Sequence, residues 1–259
     1  MIVKDQLNRP LTFSETPKRV ISLVPSQTEL LVDLGLIDSL VGVTKFCVHP
    51  SNLRESKVIV GGTKTVHLDK IVSLHPDLII CNKEENTKEI VAACEKIAPV
   101  WISDIKDIAS NNEMILLLGD IFDAKVNAKN LVSQINKAQI QFNVDIVGRP
   151  AKSVAYLIWK NPYMAVSKNT FIDYLLGVNG FKNILHFKEG RYPIIELTDL
   201  ETADVILLSS EPYPFKDKDA LEIKNALGKP LHLVDGEYFS WYGSRLLKAF
   251  SYFTNLSID

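Results

Sequence analysis

Short apolar runs alternate along this chain with stretches whose apolar residues recur at every third or fourth position. VISLV (20–24), LVGV (40–43), DLIIC (77–81) and VWIS (100–103) have the length and continuity of strands buried on both faces. Between them, TELLVDLG, LDKIVSLH and TKEIVAACEKI carry the spacing of helices that cover a sheet with one face. The alternation resumes with KSVAYLIW (152–159), FIDYLLG (171–177), DVILLS (204–209) and LHLVD (231–235). This order predicts the α/β class, with two Rossmann-like lobes built on mostly parallel sheets.

Between the halves, residues 107–142 contain no Pro and a single Gly. Leu131, Val132, Ile135, Ala138 and Phe142 share one helical face, and Lys129, Gln134, Lys137 and Gln141 the other. A helix over 125–143 would span roughly 28 Å and hold two lobes apart as a stiff connector, where a Gly/Ser linker would let them swing. The expected division is an N-terminal lobe over 1–106, a connecting helical segment over 107–145 and a C-terminal lobe over 146–259.

The halves also resemble each other. Thr28 opens TELLVDLG and Thr170 opens TFIDYLLG, each seven residues before a Gly, as an N-cap and a C-terminal glycine would be placed. HPDLIIC (75–81) and TADVILL (202–208) each set an Asp where a buried strand begins, and each is followed by a polar loop containing Glu. Capping chemistry alone accounts for the first match; the two together favour a duplicated lobe.

Composition narrows the partners. The 259 residues are 46% apolar, enough for a substantial core, and 29 Lys plus Arg stand against 31 Asp plus Glu. That balance gives no general attraction to nucleic acid or an anionic membrane. Cys47, Cys81 and Cys94 are odd in number and lack C-x-x-C spacing, which fits buried free thiols better than a disulfide framework. MIVKDQLNRPLTF has no apolar leader run and no segment has the length of a membrane span, so the chain as written reads as cytoplasmic or as one whose leader was removed.

Ser26, between Pro25 and Gln27, is not in a G-x-S-x-G setting, so it is expected, with Thr28, to cap a helix whose exposed N–H groups help wall a ligand site. GGTKT (61–65) lacks P-loop spacing and reads as a turn in which Gly61 and Gly62 supply positive φ. The five histidines form no H-E-x-x-H or H-x-H pair; the nearest soft-metal candidates are Cys47 and His49, with His67 beyond. Aromatic residues gather after predicted strand ends: Phe46, Trp159, Tyr163, and the run Tyr238, Phe239, Trp241, Tyr242. In open α/β sheets that edge receives ligands, and large aromatics there favour a flat or bulky one.

RVISLVPSQTELLVDLGL, VGGTKTVHLDKIVSLHPDLIIC and VDGEYFSWYGSR resemble the cobalamin and iron-siderophore substrate-binding proteins of ABC importers, the group with a helical backbone. The likeness runs from about residue 5 onward and includes DQLNRPLTF, similar to that family's N-terminal hairpin. It implies a non-enzymatic monomeric receptor outside the cytoplasm that clasps a metal chelate (corrinoid, ferric siderophore or haem-like) between its lobes and delivers it to a permease with its ATPase. By position in the motifs, Phe46, Trp159, Tyr163 and Tyr238 fall where the family has ligand-facing aromatics, with Pro25, Ser26, Trp241 and Tyr242 beside them. Arg191, Arg245 or His49 would meet ligand carboxylates or metal. The family's permease-docking acid corresponds to Asp69 in the first lobe and to Glu196 or Asp199 in the second, where the segment is short. No catalytic residue and no resident cofactor is implied. The competing expectation is a cytoplasmic metallocofactor protein of the same two-lobed fold, using Cys47 and His49; a hydrolase on two such lobes is more distant.

Overall fold

The computed structural model describes residues 1–258. They divide into two compact units, one of 1–136 with 242–245 and one of 137–241 with 246–258.

The first unit opens with a hairpin of β1 (Ile2–Lys4) and β2 (Pro10–Thr12). Buried Asp5 closes its turn by accepting from the amides of Leu7 and Arg9, both at 2.9 Å. Then follow β3 (Val20–Ser22), α1 (Pro25–Asp33), β4 (Leu40–Val43), α2 (Leu53–Ser56), β5 (Val58–Ile59), α3 (Leu68–Ser73), β6 (Leu78–Asn82), α4 (Lys88–Cys94) and β7 (Val100–Ser103). The strands pair in parallel in the order β5-β4-β3-β6-β7. Ile21, Leu23, Ile71, Ile79, Ile90 and Ile102 form the core of this layer, so the apolar runs are continuous because helices cover both faces.

The segment after β7 is two helices. Asp107 accepts from the Ser110 amide at 2.7 Å while Ser110 Oγ accepts from the Asp107 amide at 3.1 Å, a capping box that starts α5 (Ile108–Ile121). The chain turns at Asp123, φ 54°, into α6 (Lys125–Asp145). A Cβ on Gly119 would collide with the Cβ of Ala128, so the single glycine of this segment permits the close approach of the two helices. Leu131, Ile135 and Phe142 are buried along one face of α6, with Val132 and Ala138 partly covered, as the spacing predicts.

The second unit contains β8 (Lys152–Trp159), β9 (Met164–Ala165), α7 (Phe171–Val178), β10 (Phe181–Asn183), β11 (Val205–Ser209), α8 (Asp217–Leu227), β12 (Leu231–Val234), α9 (Gly236–Ser240) and α10 (Leu246–Asn255). Its parallel order is β10-β8-β11-β12, with β9 antiparallel to β8. Phe142 of α6 packs on Phe250 and Phe253 of α10, with ring centroids 5.6 and 6.1 Å apart.

The strand orders match when β3, β4, β6 and β7 are laid on β8, β10, β11 and β12. The aspartates of HPDLIIC and TADVILL then coincide and do the same work. Asp77 accepts from the amides of Lys18 and Arg19 at 2.7 and 2.9 Å, and Asp204 from the amide of Ser153 at 2.7 Å, each tying its strand to the start of the central one. The Thr-to-Gly match does not survive. Thr170 caps α7, its hydroxyl accepting from the Asp173 amide at 3.1 Å, but α1 begins at Pro25 with Val24 at its cap position. Ser26 and Thr28 therefore lie inside the first turn, and Thr28 donates back to the Val24 carbonyl at 2.9 Å. Gly35 ends its helix at φ 86°, whereas Gly177 is still helical and Gly180 takes the left-handed position. Of the paired glycines in GGTKT, only Gly61 has positive φ.

Candidate functional site

In each unit the loops that leave the carboxyl ends of the parallel strands carry the candidate residues. In the first unit, β4 is followed by Lys45 and Phe46. The Phe46 ring is 49% exposed, with Lys45 Nζ 5.0 Å from its centroid. A Cβ on Gly62 would stand 3.1 Å from that ring, so the glycine of the neighbouring turn makes room for it. Cys47 faces the opposite way. Its thiol is buried between the Thr28 and Thr44 hydroxyls at 3.1 and 3.3 Å, and burial raises its pKa. A thiol held neutral in this way is a poor ligand for a metal. His49 is half-buried, and among the described residues no three His, Cys, Asp or Glu side chains are grouped to hold a metal ion.

A buried polar network underlies this edge, and sequence reading missed most of it. Gln27 donates to Ser103 Oγ and, at 3.3 Å, to the Tyr242 phenol, which in turn donates to Glu85 at 3.1 Å. Asn82 donates to Ser103 Oγ at 2.9 Å, and Asn86 reaches the Thr63 carbonyl at 3.0 Å. Tyr242 is buried, and burial, with Glu85 beside it, holds its phenol well above the ordinary range and therefore neutral. Arg245 is also buried, its Nε donating to Glu29 of α1 at 2.8 Å. Both residues, expected to meet a ligand, instead fasten the short segment 242–245 within the first unit. Pro25 and Ser26 are buried in the first turn of α1.

In the second unit, β8 ends at Trp159, 39% exposed and edge-on to Tyr213 at 5.8 Å. Lys160 next to it binds Asp219 at 2.9 Å and Glu222 at 2.7 Å; Glu222 first, then Asp219, raises the lysine pKa. Tyr163 donates to Glu222 at 3.3 Å. After β12, Tyr238 stacks on Tyr252 at 4.6 Å and is half-buried. Trp241 is buried, its indole N–H donating to Glu211 at 3.0 Å, and Ser240 donates to the same oxygen. Burial, with Glu237 and Asp235 nearby, pushes the Glu211 carboxyl up. Arg191 is half-buried, on a segment whose carbonyl accepts from the Ser167 amide at 2.9 Å. The exposed aromatic faces on these loops include Phe46, Trp159 and Phe187, the last on the loop after β10 and 83% exposed; Trp241 and Tyr242 are buried. Tyr213 and Glu211 were readable as residues following the DVILLS strand.

The repeat also locates the docking candidates. Asp69 is the second residue of α3, exposed, two before buried Ile71. The counterpart of α3 in the second unit is a 3-10 turn at Leu197–Leu200, with Leu200 buried like Ile71. Laying Leu200 on Ile71 places Thr198 opposite Asp69. Glu196 stands at the cap position and is exposed, while Asp199 is bound to Lys188 at 2.8 Å, which lowers its pKa.

A family model described as periplasmic binding protein matches residues 20–222. An uncharacterized ABC transporter substrate-binding lipoprotein, YvrC, of Bacillus subtilis is 28% identical over 205 residues, 76% of this chain. The matched part spans 64% of that lipoprotein's length. A vitamin B12-binding protein of Vibrio parahaemolyticus is 24% identical over 84% of this chain and 81% of its own. The crystal structure of the periplasmic vitamin B12 binding protein BtuF of Vibrio cholerae shares the fold, with a TM-score of 0.78 at 19% identity over 92% of this chain and 96% of that one. Strand order, the duplicated aspartates and the family match agree: the chain belongs to the periplasmic binding protein family.

Proposed function

We propose that this chain is the receptor of an ABC importer, that it binds a metal chelate through its strand-end loops and delivers it to a permease with its ATPase, and that it catalyses no reaction. The observation that carries this reading is that each unit holds an aromatic face out to solvent at the carboxyl end of a strand. Phe46 is 49% exposed over a glycine and Trp159 is 39% exposed against Tyr213. Such faces suit a large, flat, partly apolar ligand. The vitamin B12-binding relative favours a corrinoid among chelates, ahead of a ferric siderophore or a haem-like ligand. Ser26 is buried in a helix turn and Cys47 is a neutral buried thiol, so neither serves as a nucleophile. Family membership and the thiol's surroundings both speak against the cytoplasmic metallocofactor reading. The receptor works outside the cytoplasm as a monomer; among the described residues no helix is long and apolar enough to cross a membrane. Asp69 and Glu196 are the docking carboxylates; Asp199 is occupied by Lys188.

The test is a thermal-shift and absorbance panel with cyanocobalamin, ferric hydroxamates, haem and free divalent metals. One chelate is expected to bind saturably, and Phe46→Ala and Trp159→Ala to weaken it about tenfold each without lowering the melting temperature. Saturable binding of a free transition metal, lost in Cys47→Ser, with no chelate bound, would overturn the reading.

A further inference from the structure

We propose that Met164 and Ile194 extend the Trp159 face into one apolar platform three rungs wide, and that this platform selects a flat macrocyclic chelate, a corrinoid or a porphyrin, over a compact ferric hydroxamate. This rests on the receptor reading above and adds to it the shape of the ligand.

The chain lays two further segments beside the end of β8. β9 pairs with it antiparallel, with Leu157 opposite Ala165 and Trp159 opposite Met164. Residues 191–195 then lie along β9, with Met164 opposite Ile194. The amides of Ala165 and Ser167 donate to the carbonyls of Pro193 and Arg191 at 3.1 and 2.9 Å, and the Ile195 amide donates to the Tyr163 carbonyl at 3.0 Å. Residues directly opposite each other in such a ladder point to the same side of it. Trp159, Met164 and Ile194 therefore stand in a row.

The alternation of burial shows which side that is. Leu157, Ala165 and Ile195 are 0%, 0% and 3% exposed and belong to the core of this unit. Trp159 and Ile194 are 39% and 63% exposed, and Met164 between them is half-buried. A strict period of two along β8 would turn Trp159 inward with Leu157. The register shifts between these two residues, Ile158 being the extra residue of a bulge, and the shift turns the indole outward. A bulge that removes a tryptophan from the core and sets it in line with two more apolar side chains gains nothing for the fold.

The row has the dimensions of a ligand face. Neighbouring rungs are about 4.8 Å apart, so the three side chains reach roughly 10 Å across the strands. A macrocycle offers a continuous flat surface of that breadth, partly apolar, to lie on such a row. A ferric hydroxamate folds its chain around the metal into a rounded shell and touches a flat row over only part of its length. The hydrogen bonds of the ladder hold the platform in place beforehand, so little ordering cost falls on binding.

The experiment is calorimetric titration of the full chain with cyanocobalamin, haemin and ferrichrome, with light scattering alongside. The natural chain is expected to bind one of the two macrocycles more tightly than ferrichrome. Ile194→Ser is expected to raise the Kd of that macrocycle about tenfold. Ile194→Leu and Met164→Leu are expected to stay within about threefold, and all three variants to keep the melting temperature of the natural chain. If none of the chelates binds, the receptor reading falls and this proposal with it. If ferrichrome binds as tightly as either macrocycle, or Ile194→Ser leaves the macrocycle's Kd unchanged, the receptor reading stands and this proposal falls. Self-association of the natural chain that Ile194→Ser abolishes, with chelate affinity intact, assigns the row to a second copy and overturns it.

Discussion

In the second unit, the helix after the central strand starts at a threonine whose hydroxyl accepts from the Asp173 amide; in the first, the equivalent helix starts at Pro25 behind Val24, with no side chain in the capping role. The second helix is specified locally. The first is completed by residues more than two hundred positions away: Arg245 donates to Glu29 at 2.8 Å, and Gly243, at φ 85°, lies so close to α1 that a Cβ would stand 3.2 Å from the Cβ of Leu30 and 3.3 Å from the Ser26 carbonyl. The Gly243 amide donates to Asn111 of α5 at 2.5 Å, fixing the same segment from its other side. Two copies of one architecture thus differ in how far along the chain the information for a helix end is stored. A local cap makes a helix start robust; a distant clasp makes it conditional on the whole chain having folded.

The most damaging way to break the comparison is Glu29→Ala. The Glu29 and Arg245 side chains are 6% and 5% exposed, so removing the carboxylate takes an ion-pair partner at 2.8 Å from a buried guanidinium. The expected cost is about 3–5 kcal/mol in chemical denaturation, because desolvation of the remaining charge is no longer offset. A loss below about 1 kcal/mol would mean that the clasp does not hold the first unit together.

A smaller effect tests what the repeats share. Asp77 accepts two amide hydrogen bonds and Asp204 one. Each Asp→Ala change leaves amides near a strand start without their acceptor, at about 1–3 kcal/mol, and Asp77→Ala should cost more than Asp204→Ala. The reverse order in matched urea titrations would show that the two aspartates are equivalent in position only.

Much of the fold was legible because its signals are local. Continuous apolar runs set the strands to within a residue or two, and the spacing of Leu131, Ile135 and Phe142 set the buried face of α6. The aspartates that open β6 and β11 were a true signature of duplication. The Thr-to-Gly match misled because threonine is as ready to sit inside a first turn, donating to the carbonyl four residues back, as to cap it. The site was legible only in outline. Strand ends pointed to Phe46 and Trp159, but whether an aromatic faces water or core depends on partners distant in sequence, and Trp241 and Tyr242 turned inward to Glu211 and to Gln27 with Glu85. Arg245 looked like a ligand contact for the same reason: nothing near it in sequence announces Glu29.

The finest discrimination is between Thr170→Ala and Ser26→Ala. Both are hydroxyl residues near the start of the first helix of a unit, and sequence reading gave both a capping role. The structure separates them. Thr170 precedes α7, its φ of −121° and ψ of 152° are those of a residue just outside a helix, and its oxygen satisfies the Asp173 amide. Ser26 is already one residue into α1, where the helical backbone turns its side chain away from the amides of the first turn. Thr170→Ala should therefore cost about 1 kcal/mol, the usual loss of a threonine cap, and Ser26→Ala less than half of that. Urea midpoints read at unchanged slope give the two values. Equal losses would mean that the start of α1 relies on its serine after all, and that the two helix ends are closer in kind than their backbones make them.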